Sequence, residues 1–248
     1  MSYCEYKVQK GAIKMERTIT KKSVPVKGFK NTFNIHRIKE LKLIGEFENP
    51  YIDKYNGPVP KKLINILRNP SHPEEYFAHH YLFDHLFDGR NGFWYGCMED
   101  SIKEKSYLNR VRKFNGIISP DYSVYIDLPF AHQVWHIYRD RVTCMWLRRL
   151  GLNVIFNLRW GDYRTYKIAF SGIEKHSVIA IGSHGLIKQP ENRIIFMNGF
   201  KEMIKSVEPS CLVIYGPYTF EMRLLCEKNG VEVIHFDAEQ VEVRKEKS

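Results

Sequence analysis

Between residues 116 and 236 the chain alternates short apolar runs with longer segments of helical period, and this alternation limits the fold more than any other feature. The runs cover 116–119, 154–160, 178–182, 211–215 and 231–236. Residues 130–150, 164–170, 193–206 and 219–228 read as helices. In the first of these, Val134, Trp135, Tyr138, Val142, Met145 and Trp146 recur at three- and four-residue steps. Short strands joined by helical crossovers predict an α/β fold on a mostly parallel sheet buried on both faces. The expected form is a doubly wound sheet of about five strands. A barrel completed by the N-terminal half is the competing arrangement. In both, sites lie beyond the carboxyl ends of the strands.

The first 90 residues are less regular. They read as a basic α+β extension or subdomain ahead of an α/β catalytic-like domain over 91–248, unless the two form one continuous domain. Residues 61–67 form a short helical or strand-like piece. Residues 73–87 read as a helix, with Pro73, Glu74 and Glu75 suited to its first turn. The loop Arg90-Asn91-Gly92-Phe93-Trp94-Tyr95-Gly96 joins aromatic rings to glycine mobility. It suits either a lid or base-stacking wedge, or a plain surface loop docked by its aromatics.

Charge is the first functional hint. The net charge is +10, and residues 1–45 alone hold 11 basic and 3 acidic side chains. A basic arm of this kind suits DNA, with RNA an open alternative, because binding phosphates releases condensed counterions. A solvated, solubility-promoting extension is the plainer reading. No apolar run is long enough for a membrane span, and residues 1–7 lack a hydrophobic signal core. The five cysteines are scattered without a CxxC pair, so a reduced, cytoplasmic setting is expected.

The strand ends supply the candidate chemistry. Asp121 and Asp162 follow the first two strands. A pair of carboxylates there can orient water for glycosidic-bond hydrolysis without a cofactor, or hold Mg2+ for phosphodiester cleavage. Helix capping is the structural alternative for Asp162, and it is the preferred reading for Asp127. Arg159 suits bidentate phosphate binding, or an ion pair with either aspartate; Trp160 suits base stacking. His184 can donate to a leaving group. Ser183 beside it is a candidate for substrate contact; a nucleophilic Ser183–His184 pair is disfavoured, since adjacent strand-end residues do not normally face each other and no GxSxG elbow is present. Tyr163, Trp94 and Tyr215 are further candidates for contact with nucleic acid or substrate. On the long helix, Arg139, Arg141, Arg148 and Arg149 offer cations but share no narrow stripe. The cluster from His79 to His85 invites a metal reading, yet HExxH is absent and partly buried helix histidines fit better. Neither GxGxxG nor GxxxxGK[ST] occurs, which removes most nucleotide-cofactor chemistry.

Several strings occur in order: Gly116-Ile-Ile-Ser-Pro-Asp-Tyr-Ser, Asp127-Leu-Pro, Tyr138-Arg-Asp-Arg, Asn157-Leu-Arg-Trp-Gly-Asp and Ile181-Gly-Ser-His-Gly. Over roughly residues 90–236 this series resembles a bacterial and phage-borne family catalogued as domain of unknown function 4417. The resemblance implies phage or mobile-element biology and no particular chemistry. Gly161-Asp162-Tyr163 and the later Ser183-His184 also loosely resemble the uracil-DNA glycosylase superfamily, although its Gly-Gln-Asp-Pro-Tyr and His-Pro-Ser-Pro strings are absent. This second resemblance implies a DNA glycosylase. Its flipped base would stack on Trp160 or Tyr163, its water would be oriented by Asp162 or Asp121, and His184 would stabilise the departing base. A metal-dependent nuclease and a non-catalytic DNA-binding replication or regulatory protein are the competing expectations.

Overall fold

A computed structural model describes residues 35–83, Trp94 and 101–238, together with three short strands nearer the N-terminus: β1 (Lys7–Gln9), β2 (Ala12–Lys14) and β3 (Glu16–Thr18). β1 and β2 pair with each other. β3 joins β4 (Lys42–Ile44) and β5 (Asn49–Pro50) in a small antiparallel sheet. One turn of helix, α1 (Ile35–Ile38), precedes β4.

The main sheet has seven strands. They are β6 (Leu63–Asn65), β7 (Phe77–His79), β8 (Gly116–Ile118), β9 (Val154–Asn157), β10 (Val178–Gly182), β11 (Cys211–Tyr215) and β12 (Glu232–Phe236). All neighbours are parallel. The crossovers carry α2 (Ser101–Val111), α3 (Phe130–Arg149), α4 (Tyr163–Phe170), α5 (Pro190–Val207) and α6 (Phe220–Lys228). The α/β class and the parallel sheet with helical crossovers therefore agree with the sequence reading.

Two details differ from it. The sheet has seven strands instead of about five, because β6 and β7 lie within the first 90 residues. Each is only three residues long, too short to display a period of two. The helix expected over 73–87 is replaced by a single 3-10 turn at Pro73–Glu75 and then β7, whose backbone is taken up by pairing with β6 and β8. Residues 84–87 of that expectation lie outside the described residues.

The winding also differs. Strand order follows chain order from β6 to β12, with no reversal. The apolar residues divide by face accordingly. Ala78, Ile117, Phe156, Ile179, Ile181, Leu212 and Ile214 pack with the apolar residues of α2 to α6. The alternate residues Phe77, Ile118, Ile155, Ala180 and Val213 form a second cluster that contains no helix residue and is plugged by Tyr55. A doubly wound sheet would place helices on both faces; here they cover one, and the other curls inward upon itself. Strands stand about 4.8 Å apart, so β7 and β11 would be roughly 19 Å apart in a flat sheet. Yet Tyr81, just past β7, stacks on Tyr215 of β11 with ring centroids 4.6 Å apart. The sequential order matches the barrel alternative, but β6 and β12 remain as unjoined edges among the described strands.

Arg141 ties the N-terminal segment to this body. Its fully buried guanidinium donates to the carbonyls of Pro50, Ile168, Ala169 and Ser171, gathering β5 onto the C-terminal end of α4. A parallel bridge between Ile52 and Ile173 lies alongside.

Candidate functional site

The concave face ends in a layer of His79, Asn157, Gly182 and Tyr215, one residue from each of β7, β9, β10 and β11. Above the last two, the loops after the strands enclose a cleft of about 1100 Å3. Its walls include Tyr81, Asp121, Asp127, Leu158, Arg159, Trp160, His184, Asn192, Phe196 and Tyr215. The site thus lies beyond the carboxyl ends of the strands, where parallel sheets leave loops and unsatisfied backbone groups.

Its best-formed element is a buried polar knot. Arg159 Nε and Nη2 both donate to the Asp121 carboxylate, and Nη1 donates to the Gly182 carbonyl at 2.9 Å. Asp121 is only 5% exposed. It also accepts a 2.7 Å bond from Asn157 Nδ2, while Tyr81 donates its hydroxyl to Asn157 Oδ1 at 2.9 Å. Burial disfavours the Arg159 cation, but the adjoining Asp121 carboxylate more than offsets this and holds the guanidinium charged. Of the readings open for Arg159, the structure realises the ion pair with Asp121. Both carboxylate oxygens of Asp121 are thus engaged, Oδ1 by Arg159 and Asn157 and Oδ2 by Arg159.

Beneath the knot sits Asp140, on α3. Its Oδ1 accepts the Tyr122 N–H at 2.9 Å, and its buried Oδ2 has no hydrogen-bond partner. Burial, then repulsion from Asp121, pushes its carboxyl well above the usual carboxylate range. Arg139 lies over the Tyr122 ring at 4.1 Å.

The remaining sequence candidates divide. His184 borders the cleft, half-buried; burial and then the Lys188 charge lower its pKa, favouring the neutral imidazole. Its loop lies against Gly216, where φ is +103° and a Cβ would come within 2.6 Å of the His184 backbone nitrogen. Trp160 stacks on Phe196 with centroids 5.3 Å apart. Its indole occupies the space beside Gly199 on α5, where a Cβ would meet Nε1 at 2.0 Å. Tyr215 contributes its ring to the cleft.

Asp162 does not line the cleft with Asp121. It caps α4, accepting the Arg164 N–H at 3.0 Å, and pairs with the Arg164 side chain at 2.7 Å. Those bonds lower its carboxyl below the usual range. The expected Asp121–Asp162 pair, and with it a shared Mg2+ site, is not assembled. Tyr163 is exposed, outside the cleft lining. Ser183 is fully buried and spends its hydroxyl on the Pro217 carbonyl at 2.7 Å. Trp94 is 4% exposed and packs edge-on against Tyr122 and Trp135 in the core; the other residues of its loop lie outside the described residues. The arginines of α3 form no phosphate-binding face. Arg139 lies over the rings of Trp94, Tyr122 and Trp135, Arg141 and Arg149 reach backbone carbonyls, and Arg148 pairs with Asp53.

Two readings need correction. Asp127 is not a cap: Pro129 holds the N-cap position of α3, and Asp127 stands exposed at the cleft. The preferred reading of the histidines, partly buried on a helix, also changes: His79 ends β7, and the buried His80 follows it outside any helix. Its Nδ1 donates to the Ile118 carbonyl at 2.8 Å, which leaves Nε2 to accept from the Tyr107 hydroxyl at 2.9 Å. Among the described residues no group of three His, Cys, Asp or Glu is placed to hold a metal. Asp84 and His85 lie outside them. The sequence reading missed Tyr81, Asn157 and Asp140. A polar residue closing the apolar run Val154-Ile155-Phe156 was the available signal for Asn157.

The profile of the family described as Domain of unknown function (DUF4417) matches residues 46–237. The chain belongs to this family. The matched span begins ahead of β6, so it takes in all seven strands of the main sheet. The chain is also similar to the Gene 1 protein of Mycobacterium phage L5, 31% identical over 109 residues, which cover 44% of this chain and 48% of that protein. To the Gene 1 protein of Mycobacterium phage D29 it is 29% identical over 109 residues, 44% of this chain and 40% of that one. The chain thus spans less than half the length of each of these relatives. No solved structure matches it. The looser resemblance to the uracil-DNA glycosylase superfamily gains no support from any of these comparisons.

Proposed function

We propose that this family member acts on nucleic acid and that its strand-end cleft receives an unstacked base, whose N-glycosidic bond it hydrolyses. The observation that carries the reading is the make-up of the cleft: aromatic walls from Tyr81, Tyr215, Trp160 and Phe196 beside a half-buried imidazole and a carboxylate. Planar rings bury a base with little sequence preference. The positive charge concentrated in residues 1–45 suits a polyanion.

The roles differ from those expected of Asp121 and Asp162. Asp127, which has no ion pair or hydrogen bond among the described residues, orients the water and takes its proton as oxygen attacks the anomeric carbon. The C–N bond breaks with its electron pair leaving on the base, and His184 donates a hydrogen bond to that departing nitrogen heterocycle. Asp121, Arg159 and Asn157 hold the floor of the cleft and position Tyr81.

The test uses purified full-length chain with unmodified DNA and with DNA carrying phage-type modified bases, in chelator. Strand breaks that appear only after alkali are expected, and they should disappear with Asp127→Ala. DNA bound without abasic sites would overturn the hydrolytic step in favour of a binding protein. Cleavage that requires added Mg2+ would overturn it in favour of a nuclease.

A further inference from the structure

An exposed strip leaves the cleft mouth along the loop that follows β8. Tyr125 and Ile126, which border the cleft, are 49% and 38% exposed. The strip continues by contact. Arg164 Nη2 approaches the Ile126 carbonyl at 3.5 Å, and its guanidinium lies 5.9 Å over the ring of Phe130, itself 36% exposed. Next to Arg164, Tyr163 projects from the first turn of α4 and is 77% exposed. Rings at intervals, with a guanidinium between them, thus run outward from the slot already assigned to a base.

We infer that this strip binds the nucleotides flanking the one in the cleft, and that the substrate is therefore single-stranded nucleic acid. The inference rests on the base-binding reading of the cleft. Its chemistry follows from what the strip offers. Exposed aromatic faces stack on bases, and in a duplex those faces are covered by the neighbouring base pairs. The strip carries little free charge, because Asp162 neutralises Arg164 with a 2.7 Å ion pair. Duplex recognition through phosphates would need unpaired cations at this position. An apolar protein partner is the competing occupant, but the strip is continuous with the cleft through Tyr125 and Ile126.

The experiment measures binding by fluorescence anisotropy of labelled oligothymidylate and of the matching dA·dT duplex, alongside calorimetric binding of the four deoxynucleosides. Tyr163→Ala should weaken oligothymidylate about tenfold, and Tyr163→Phe should restore it, since stacking needs the ring and not the hydroxyl. Deoxynucleoside binding should be the same in all three proteins. Equal affinity of Tyr163→Ala and the parent chain for oligothymidylate would overturn the inference. Duplex binding as tightly as single strand would overturn it too. Loss of deoxynucleoside binding in every protein, with the Tyr163 effect retained, would sink the cleft reading and leave the strip standing.

Discussion

Asp121→Ala should be far more damaging than the loss of one small side chain. The substitution leaves the Arg159 guanidinium in place, side chain 14% exposed, with one remaining acceptor at the Gly182 carbonyl. It also strips Asn157 Nδ2 of its acceptor. Breaking a buried pair by removing one partner costs about 3–5 kcal/mol, and an orphaned buried amide adds roughly 1 kcal/mol. Against a total stability of order 5–15 kcal/mol this is a large fraction. Arg159→Met alone leaves Asp121 buried with only Asn157, at a cost of about 3 kcal/mol. The double variant removes both charges and should cost roughly 2 kcal/mol less than the sum of the singles, or more. Urea unfolding of the four proteins, followed by circular dichroism, measures the cycle. Additive costs, or a single-variant cost below about 1 kcal/mol, would show that the knot holds nothing together.

Asp140 should behave in the opposite way. Burial and Asp121 push its carboxyl well above the usual range, which favours the neutral acid that an amide resembles, so the stability of Asp140→Asn should lie within about 1 kcal/mol of the parent, whereas Asp121→Asn should lose the charge on which Arg159 depends. Burial lowers the His80 pKa to about 4, so its contribution is present above its unfolded pKa and is lost as pH falls from there to about 4. The stability gap between the parent and His80→Gln should therefore shrink by about 3 kcal/mol on moving from neutral pH to about pH 4, as read from paired urea titrations. Gly216→Ala places a Cβ 2.6 Å from the His184 backbone nitrogen at a positive φ; it should cost about 1–3 kcal/mol and displace the His184 loop, visible as altered imidazole shifts by NMR. Burial pushes the Cys144, Cys211 and Cys226 thiols up to about 11, so these three should resist a thiol reagent until the chain is unfolded.

The sequence by itself determined the parallel α/β class, because five apolar runs of strand length separated by helical segments have few other ways to bury themselves. It also placed attention on the strand ends, and Asp121, Arg159, Trp160, His184 and Tyr215 do meet at one cleft there. The direction of winding lay beyond it. Whether helices cover one face of a sheet or both depends on the order in which strands pair, and an apolar residue reads the same against a helix as against a curled inner face. β6 and β7 stayed hidden because three residues carry no period, and their strand character comes from the neighbours they pair with. The roles of the aspartates were decided by tertiary contact alone. Asp121, Asp127, Asp140 and Asp162 are chemically identical in sequence. In the fold the first is locked by Arg159, the second stands exposed at the cleft, the third is buried against a backbone N–H, and the fourth caps a helix. A carboxylate's function follows from its solvation and its hydrogen-bond partners, and residues distant along the chain supply both.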